Sequence, residues 1–99
     1  MLKPEVTARA MKDLEDILIY SHQNWGEKKA DSYVGNILTK INNDLMNNQE
    51  LGSSCHDIRY DYKKIAVDLH VIFYKIRAKR IYIVRVLHNK MDYKKALLN

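Results

Sequence analysis

Four histidines, one cysteine and seven tyrosines carry most of the side-chain chemistry open to this sequence. Cys55 and His56 stand side by side, a thiol next to a base, within Gly52-Ser53-Ser54-Cys55-His56. Nucleophile–base pairs are assembled by folding and not by adjacency in the chain, so an incidental thiol is the simpler reading. His22 falls near the end of a helical stretch, where a cation suits the dipole, and a capping or solvent role fits it better than a ligand role. His70 opens one long apolar run and His88 closes the next. The two either face each other across paired strands or lie at opposite ends, depending on register.

Beside Lys90, Arg85 and Arg59, a histidine at a strand end could act as general acid or base among phosphate-binding cations. The plainer alternative is a structural imidazole bonded to backbone at the end of a sheet. Tyr60, Tyr62, Tyr74 and Tyr82, interleaved with Arg59, Lys63, Lys64 and Lys75, could stack nucleobases. Tyrosine is also a preferred strand residue, and cross-strand packing accounts for at least half of these four. The sequence contains no phosphate-binding Gly-x-x-x-x-Gly-Lys-Ser/Thr, no Gly-x-Ser-x-Gly and no His-Glu-x-x-His. No Cys/His spacing suits zinc, and a single cysteine cannot close an internal disulfide. No metal or cofactor is expected, and no catalytic residue is assigned.

These side chains need elements to position them. Leu2 to Val6 is strand-like, and Pro4 marks it as an edge. Thr7 can cap a helix over residues 8–25, along which Ala10, Leu14, Ile17, Leu18 and Ser21 recur at three- and four-residue steps. Lys12, Asp13, Glu15 and Asp16 supply its polar face. Gly26 can close that helix in a left-handed conformation. A second helix, 27–46, follows on Ala30, Tyr33, Val34, Ile37, Leu38, Ile41 and Leu45, until Asn47-Asn48-Gln49-Glu50 stops it. So short a link makes the pair an antiparallel hairpin. Leu14, Ile17, Leu18, Val34, Ile37, Leu38 and Ile41 are expected to be buried.

From residue 57 the period changes to two, with Ile58, Tyr60 and Tyr62 alternating with Arg59 and Asp61. Leu69–Ile76 and Ile81–Leu87 are apolar on both faces, as central strands are. Arg77-Ala78-Lys79-Arg80 between them makes a soluble hairpin tip. Asp92 can cap a last short helix, Tyr93 to Leu98. The expected architecture is α+β: a short N-terminal strand and a helical hairpin on one face of an antiparallel sheet, then a short C-terminal helix, with residues 1–99 as a single domain.

Composition bounds the partners. A chain of 99 residues, 46% hydrophobic and 29% charged with 3 Gly and 1 Pro, is neither disordered nor collagen-like. No apolar run reaches the ~18 residues a membrane span needs, and the start lacks a signal-peptide core, so a soluble cytoplasmic protein is expected. Residues 1–55 hold 6 Lys/Arg against 8 Asp/Glu, and residues 56–99 hold 11 against 4, a net of +7. A basic half points to an acidic partner, or else only to a well-solvated surface. A membrane is the weakest partner, because these cations lie in strand-like sequence and not on an amphipathic helix.

Read in order, the chain resembles the ParE toxins of bacterial toxin–antitoxin operons, within the RelE/ParE superfamily. Ala10, Asp13, Leu14, Ile17, Tyr20 and Trp25-Gly26 match the family's first segment; Ala30 and Tyr33 match the start of its second helix. Leu51-Gly52, Ile58-Arg59 and Tyr62-Lys63-Lys64 are similar to its loop and second strand. The clearest matches are His70-Val71-Ile72-Phe73-Tyr74 and Ile83-Val84-Arg85-Val86-Leu87-His88-Asn89-Lys90-Met91-Asp92. The resemblance implies a RelE/ParE-like fold and a non-enzymatic cytoplasmic toxin that binds DNA gyrase and blocks replication, with no sequence-specific nucleic-acid binding. It also implies a ParD-like antitoxin in a hetero-oligomer with it. The alternative is a ribosome-dependent mRNA endonuclease of the RelE type, for which His88, Lys90 and Tyr93 are suitably late and polar. Trp25-Gly26 and the C-terminal Leu-His-x-x-Met-Asp string favour ParE. The expected target-binding residues are Arg59, Arg85, His88, Lys90 and Tyr93. The expected antitoxin-binding residues are Arg59, Lys63, Lys64, Arg77 and Arg80.

Overall fold

The computed structural model describes residues 3–55 and 58–98. Leu2 of the expected first strand and His56 of the Cys-His pair lie outside them. The chain runs β1 (Glu5–Val6), α1 (Ala8–Trp25), α2 (Glu27–Thr39), a π-helical turn (Lys40–Asp44), α3 (Leu45–Asn47), β2 (Ser53–Ser54), β3 (Tyr62–Val67), β4 (His70–Arg77), β5 (Arg80–His88) and α4 (Tyr93–Leu98). The five strands form one sheet in the order β1-β5-β4-β3-β2. Its pairs are antiparallel except β1, which lies parallel to β5 with Glu5 opposite Tyr82. A parallel pair cannot be closed by a tight hairpin, and here the helices and three strands separate β1 from β5 along the chain.

Local chemistry sets the helix ends. The Thr7 hydroxyl accepts the Ala10 N–H at 3.1 Å, as an N-cap does. Gly26, at φ 86°, breaks α1 from α2 in a region that side-chain-bearing residues avoid. Asp92 accepts the Lys95 N–H at 3.2 Å and starts α4. Ala10, Leu14, Ile17 and Ser21 of α1 and Ala30, Val34 and Ile37 of α2 are buried, and Leu18 is half-buried against them.

Leu38, expected in this core, is 41% exposed. The buried stripe runs through Ile37, Ile41 and Leu45, and Leu38 sits about 100° beyond Ile37, outside the arc that the sheet covers. Two successive four-residue steps would each carry that stripe about 40° past a full turn. The wider π turn over Lys40–Asp44 takes up this drift, so Ile41 and Leu45 stay buried in line with Ile37.

Residues 58–61, where alternation suggests a strand, form a turn instead. Ile58 and Arg59 donate backbone N–H bonds to Cys55, and Tyr62 donates to Arg59, so β3 begins only at Tyr62. The apolar alternation there arises because Ile58 is buried for another purpose, beneath α4. Leu69 also falls outside its strand, exposed in the two-residue turn Asp68-Leu69. Asp68 (φ 53°) opens this turn, while Ala78 and Lys79 (φ 51° and 64°) form the other tight hairpin tip with two left-handed residues.

The sheet has two covered faces. Ile72, Tyr74, Ile81, Ile83 and Val86 pack under the helical hairpin. Phe73 and Leu87 pack with Cys55, Ile58 and Leu97 under α4. A bulge in β5 makes this division possible. Phe73 pairs with Arg85 but Tyr74 pairs with Ile83, so Val84 is the extra residue. Beyond it the alternation flips, which sends Val86 to the hairpin side and Leu87 to the other.

Candidate functional site

The bulge also re-aims Arg85. β1 accompanies β5 only as far as Ile83, where Thr7 finishes the edge through its N–H to the Ile83 carbonyl and its hydroxyl to the Val84 carbonyl. Further along, α1 lies over the open edge and Asp13 fills the place of a neighbouring strand. Its carboxylate accepts the Val86 N–H at 3.0 Å and the Arg85 guanidinium twice, from Nε at 2.8 Å and Nη2 at 3.0 Å. The two side chains are only 11% and 15% exposed. Asp13 is the residue that the helical pattern does not single out: periodicity groups it with the other polar-face charges, and its signal, an acid at the family's first-segment position, points to a pair only once β5 is placed.

Between α1 and the end of β5 lies an open groove of about 600 Å³, lined among others by Arg9, Tyr20, Leu69, His70, Arg85, His88 and Met91. His70 and His88 face each other across β4 and β5, with ring centroids 5.3 Å apart at 80°. The register left open by the sequence is therefore the facing one. His70 Nδ1 lies 2.6 Å from the Tyr33 hydroxyl, which accepts the Leu69 N–H at 3.0 Å, and Tyr33 in turn meets the Trp25 ring edge-on at 5.2 Å. Burial, together with the neighbouring His88, holds the His70 imidazole below its ordinary pKa. Burial raises the Tyr33 phenol. His88 Nδ1 accepts the Lys90 N–H at 3.1 Å. His22 is exposed and pairs with Asp31 at 3.1 Å, a surface contact in keeping with its expected role.

The expected target-binding residues do not form one patch. Arg85 and His88 line the groove and Lys90 follows in the turn. Tyr93 and Arg59 belong with α4: Tyr93 packs on Phe73 at 5.3 Å, and Arg59 donates from Nε and Nη2 to the Leu97 carbonyl at 3.2 and 3.1 Å. The expected antitoxin-binding cations are each engaged within the chain. Lys63 meets Glu50 at 2.9 Å, Lys64 reaches the Tyr93 hydroxyl at 3.3 Å, Arg77 holds Asp61, and Arg80 holds Glu5 at 3.0 Å. The Arg77 guanidinium keeps the Asp61 carboxyl below the usual range. The four tyrosines offer no common stacking face. Tyr74 is fully buried, donating to the Gln49 carbonyl at 3.0 Å and accepting the Gly52 N–H at 2.9 Å, while Tyr60 is 85% exposed. Among the described residues no group of three metal-ligating side chains converges, and no helix is long and apolar enough to cross a membrane.

A mixed sheet with a helical hairpin on one face and a short helix on the other is also the fold of a solved chain titled as the chromosomal ParDE toxin–antitoxin system from P. aeruginosa. The two agree with a TM-score of 0.76 at 19% identity, over 89% of this chain and 96% of that one. Residues 5–93 match the family described as the ParE toxin of the type II toxin–antitoxin system parDE. Toxin ParE1 of Caulobacter vibrioides is 34% identical over 92 residues, covering 92% of this chain and 94% of its own. Toxin ParE1 of Mycobacterium tuberculosis is 32% identical over 84 residues, covering 84% and 85%. The chain belongs to the ParE family of type II toxins.

Proposed function

We propose that this toxin acts in the cytoplasm by binding DNA gyrase and blocking replication, without enzymatic turnover, and that a ParD-like antitoxin neutralises it. The supporting observation is the state of the late polar side chains. A ribonuclease of the RelE type needs free cations beside a proton carrier. Here Arg85 is committed to Asp13, Arg59 to the Leu97 carbonyl and Lys64 to the Tyr93 hydroxyl, which leaves no such cluster built from these cations. Arg85, Tyr93 and Arg59 then serve the target surface by holding α1 and α4 in place, and His88 with Lys90 at the groove end make the contact.

The antitoxin reading rests on Arg59, Lys63, Lys64, Arg77 and Arg80. Three of them hold acidic partners at the surface, Lys63 with Glu50, Arg77 with Asp61 and Arg80 with Glu5, and exposed ion pairs contribute only ~0–1 kcal/mol. An acidic segment that is disordered alone can exchange such pairs at little cost as it folds onto the chain. Brief expression in cells tests the target. Gyrase poisoning gives DNA-damage signalling and filamentation while translation continues; immediate loss of translation with cut messages would overturn the reading.

A further inference from the structure

The two facing histidines carry a feature beyond the target contact proposed for His88. His88 Nδ1 accepts a backbone N–H, so the proton of the neutral ring sits on Nε2. Tyr33 accepts the Leu69 N–H, and we assign its own hydroxyl proton to His70 Nδ1, 2.6 Å away, which puts the His70 proton on Nε2. These tautomers follow from the hydrogen-bond network. Neither Nε2 has a partner among the described residues, where no buried side-chain nitrogen is left unpaired, so neither is closed off from solvent, and both rings line the groove. Two N–H donors on facing strands at one groove end are suited to an acceptor and unsuited to a metal ion, which needs the lone pair that each Nε2 proton occupies.

We infer that the groove between α1 and the end of β5 binds a peptide segment carrying a carboxylate between apolar side chains, the carboxylate received by His70 and His88 Nε2–H. Tyr20, Leu69 and Met91, exposed by 61%, 45% and 48%, form the apolar walls. The acids lining the groove are already neutralised, Asp13 by Arg85 and Asp16 by Lys12 at 2.9 Å, while Arg9 has no acidic partner among the described residues. Two neutral donors and one rim cation match a monoanion better than a phosphate dianion, which selects clusters of Arg and Lys. The groove is of the size that takes a few side chains, within the ~300–1,000 Å³ of clefts that hold drug-sized ligands. This goes beyond the gyrase reading and stands without it, because it concerns ligand chemistry and not the identity of the protein that carries the segment.

Long-range ¹H–¹⁵N spectra of the histidine rings in the free chain test it directly. The probes are the capped peptide acetyl-Leu-Glu-Leu-Leu-amide, its Gln counterpart and inorganic phosphate. The Glu peptide should shift both Nε2 signals with a Kd on the order of 1 mM. The Gln peptide should bind about tenfold more weakly, because the charge-assisted bonds are lost. His88→Phe keeps a ring on the strand and should abolish the His70 shift. Tyr20→Ser, on the exposed side of α1, should weaken binding about fivefold by removing an apolar wall while leaving both imidazoles intact. No shift at either ring, equal binding of the Gln peptide, or phosphate binding as well as the Glu peptide would each overturn the assignment. Toxicity enters none of these readouts, so failure here and failure of the gyrase reading are separable.

Discussion

Asp13→Ala should be the most damaging single change on the surface of α1. Its carboxylate accepts three hydrogen bonds, two from Arg85 and one from the Val86 N–H, at 2.8, 3.0 and 3.0 Å. Alanine would leave a guanidinium that is 15% exposed without its counter-charge and a strand-edge N–H without an acceptor. Breaking a buried pair from one side costs roughly 3–5 kcal/mol. Residual exposure places this one at the lower end, about 3 kcal/mol, a large share of the ~5–15 kcal/mol by which a domain is stable. Glu5→Ala is the internal control. It removes an Arg80 pair of similar length, but with side chains 51% and 44% exposed, and should cost under ~1 kcal/mol. Arg85→Met in the Asp13→Ala background should restore much of the loss, because it removes the stranded charge and keeps the stem's packing. Urea unfolding at unchanged slope measures all four proteins. If Asp13→Ala costs no more than Glu5→Ala, the edge-capping account is wrong. If the double variant folds and remains toxic, Arg85 is a structural cation and not a contact to the target.

Three further outcomes follow from particular positions. Ile37→Ala, at a fully buried site, should cost about 2–5 kcal/mol, whereas Leu38→Ala beside it should cost under ~1 kcal/mol; equal losses in urea unfolding would contradict the burial stripe. Lys79→Gly should stabilise by roughly 0.5–1 kcal/mol, since residue 79 has φ 64° and glycine adopts that conformation without a Cβ penalty; a lower melting temperature would count against it. His70 is held below its ordinary pKa of 6.5, so the unfolded chain binds the proton first as pH falls. Stability from this group is therefore complete above pH 6.5 and is lost as pH drops through 6.5 towards the folded pKa. Unfolding at pH 7.5 and 5.5 should show a smaller loss in His70→Phe than in the parent, and an unchanged difference would refute the attribution.

What was legible in the sequence was what neighbours in the chain decide. Thr7, Gly26 and Asp92 act within four residues of themselves, and their caps and breaks fall where side-chain chemistry puts them. The stripe through Ala10, Leu14 and Ile17 follows from helical period alone. Leu38 misled because composition cannot say how wide an arc the sheet covers. Ile58 misled because a residue buried beneath α4 looks, in alternation, like a strand residue. The bulge at Val84 is invisible in one sequence, yet it decides where Arg85 and Leu87 point. The histidines were recognisable as strand-end groups, but their partner Tyr33 is 37 residues away from His70 and on another element. The family resemblance carried the toxin assignment past the point where residue types alone stopped.

The proposed action, disabling gyrase by contact without a catalytic side chain, can be set against message cleavage in one experiment. Purified chain, confirmed as folded, should be added in parallel to a gyrase supercoiling reaction and to ribosomes stalled on a defined message. His88→Ala and Tyr93→Phe serve as comparison variants. Binding without catalysis should give dose-dependent loss of supercoiling with the message intact, and only graded weakening in the variants as contacts are trimmed, not the ~10²–10⁴-fold collapse that follows removal of a general acid or base. Cleavage of the message by the parent chain, vanishing in either variant, would contradict it.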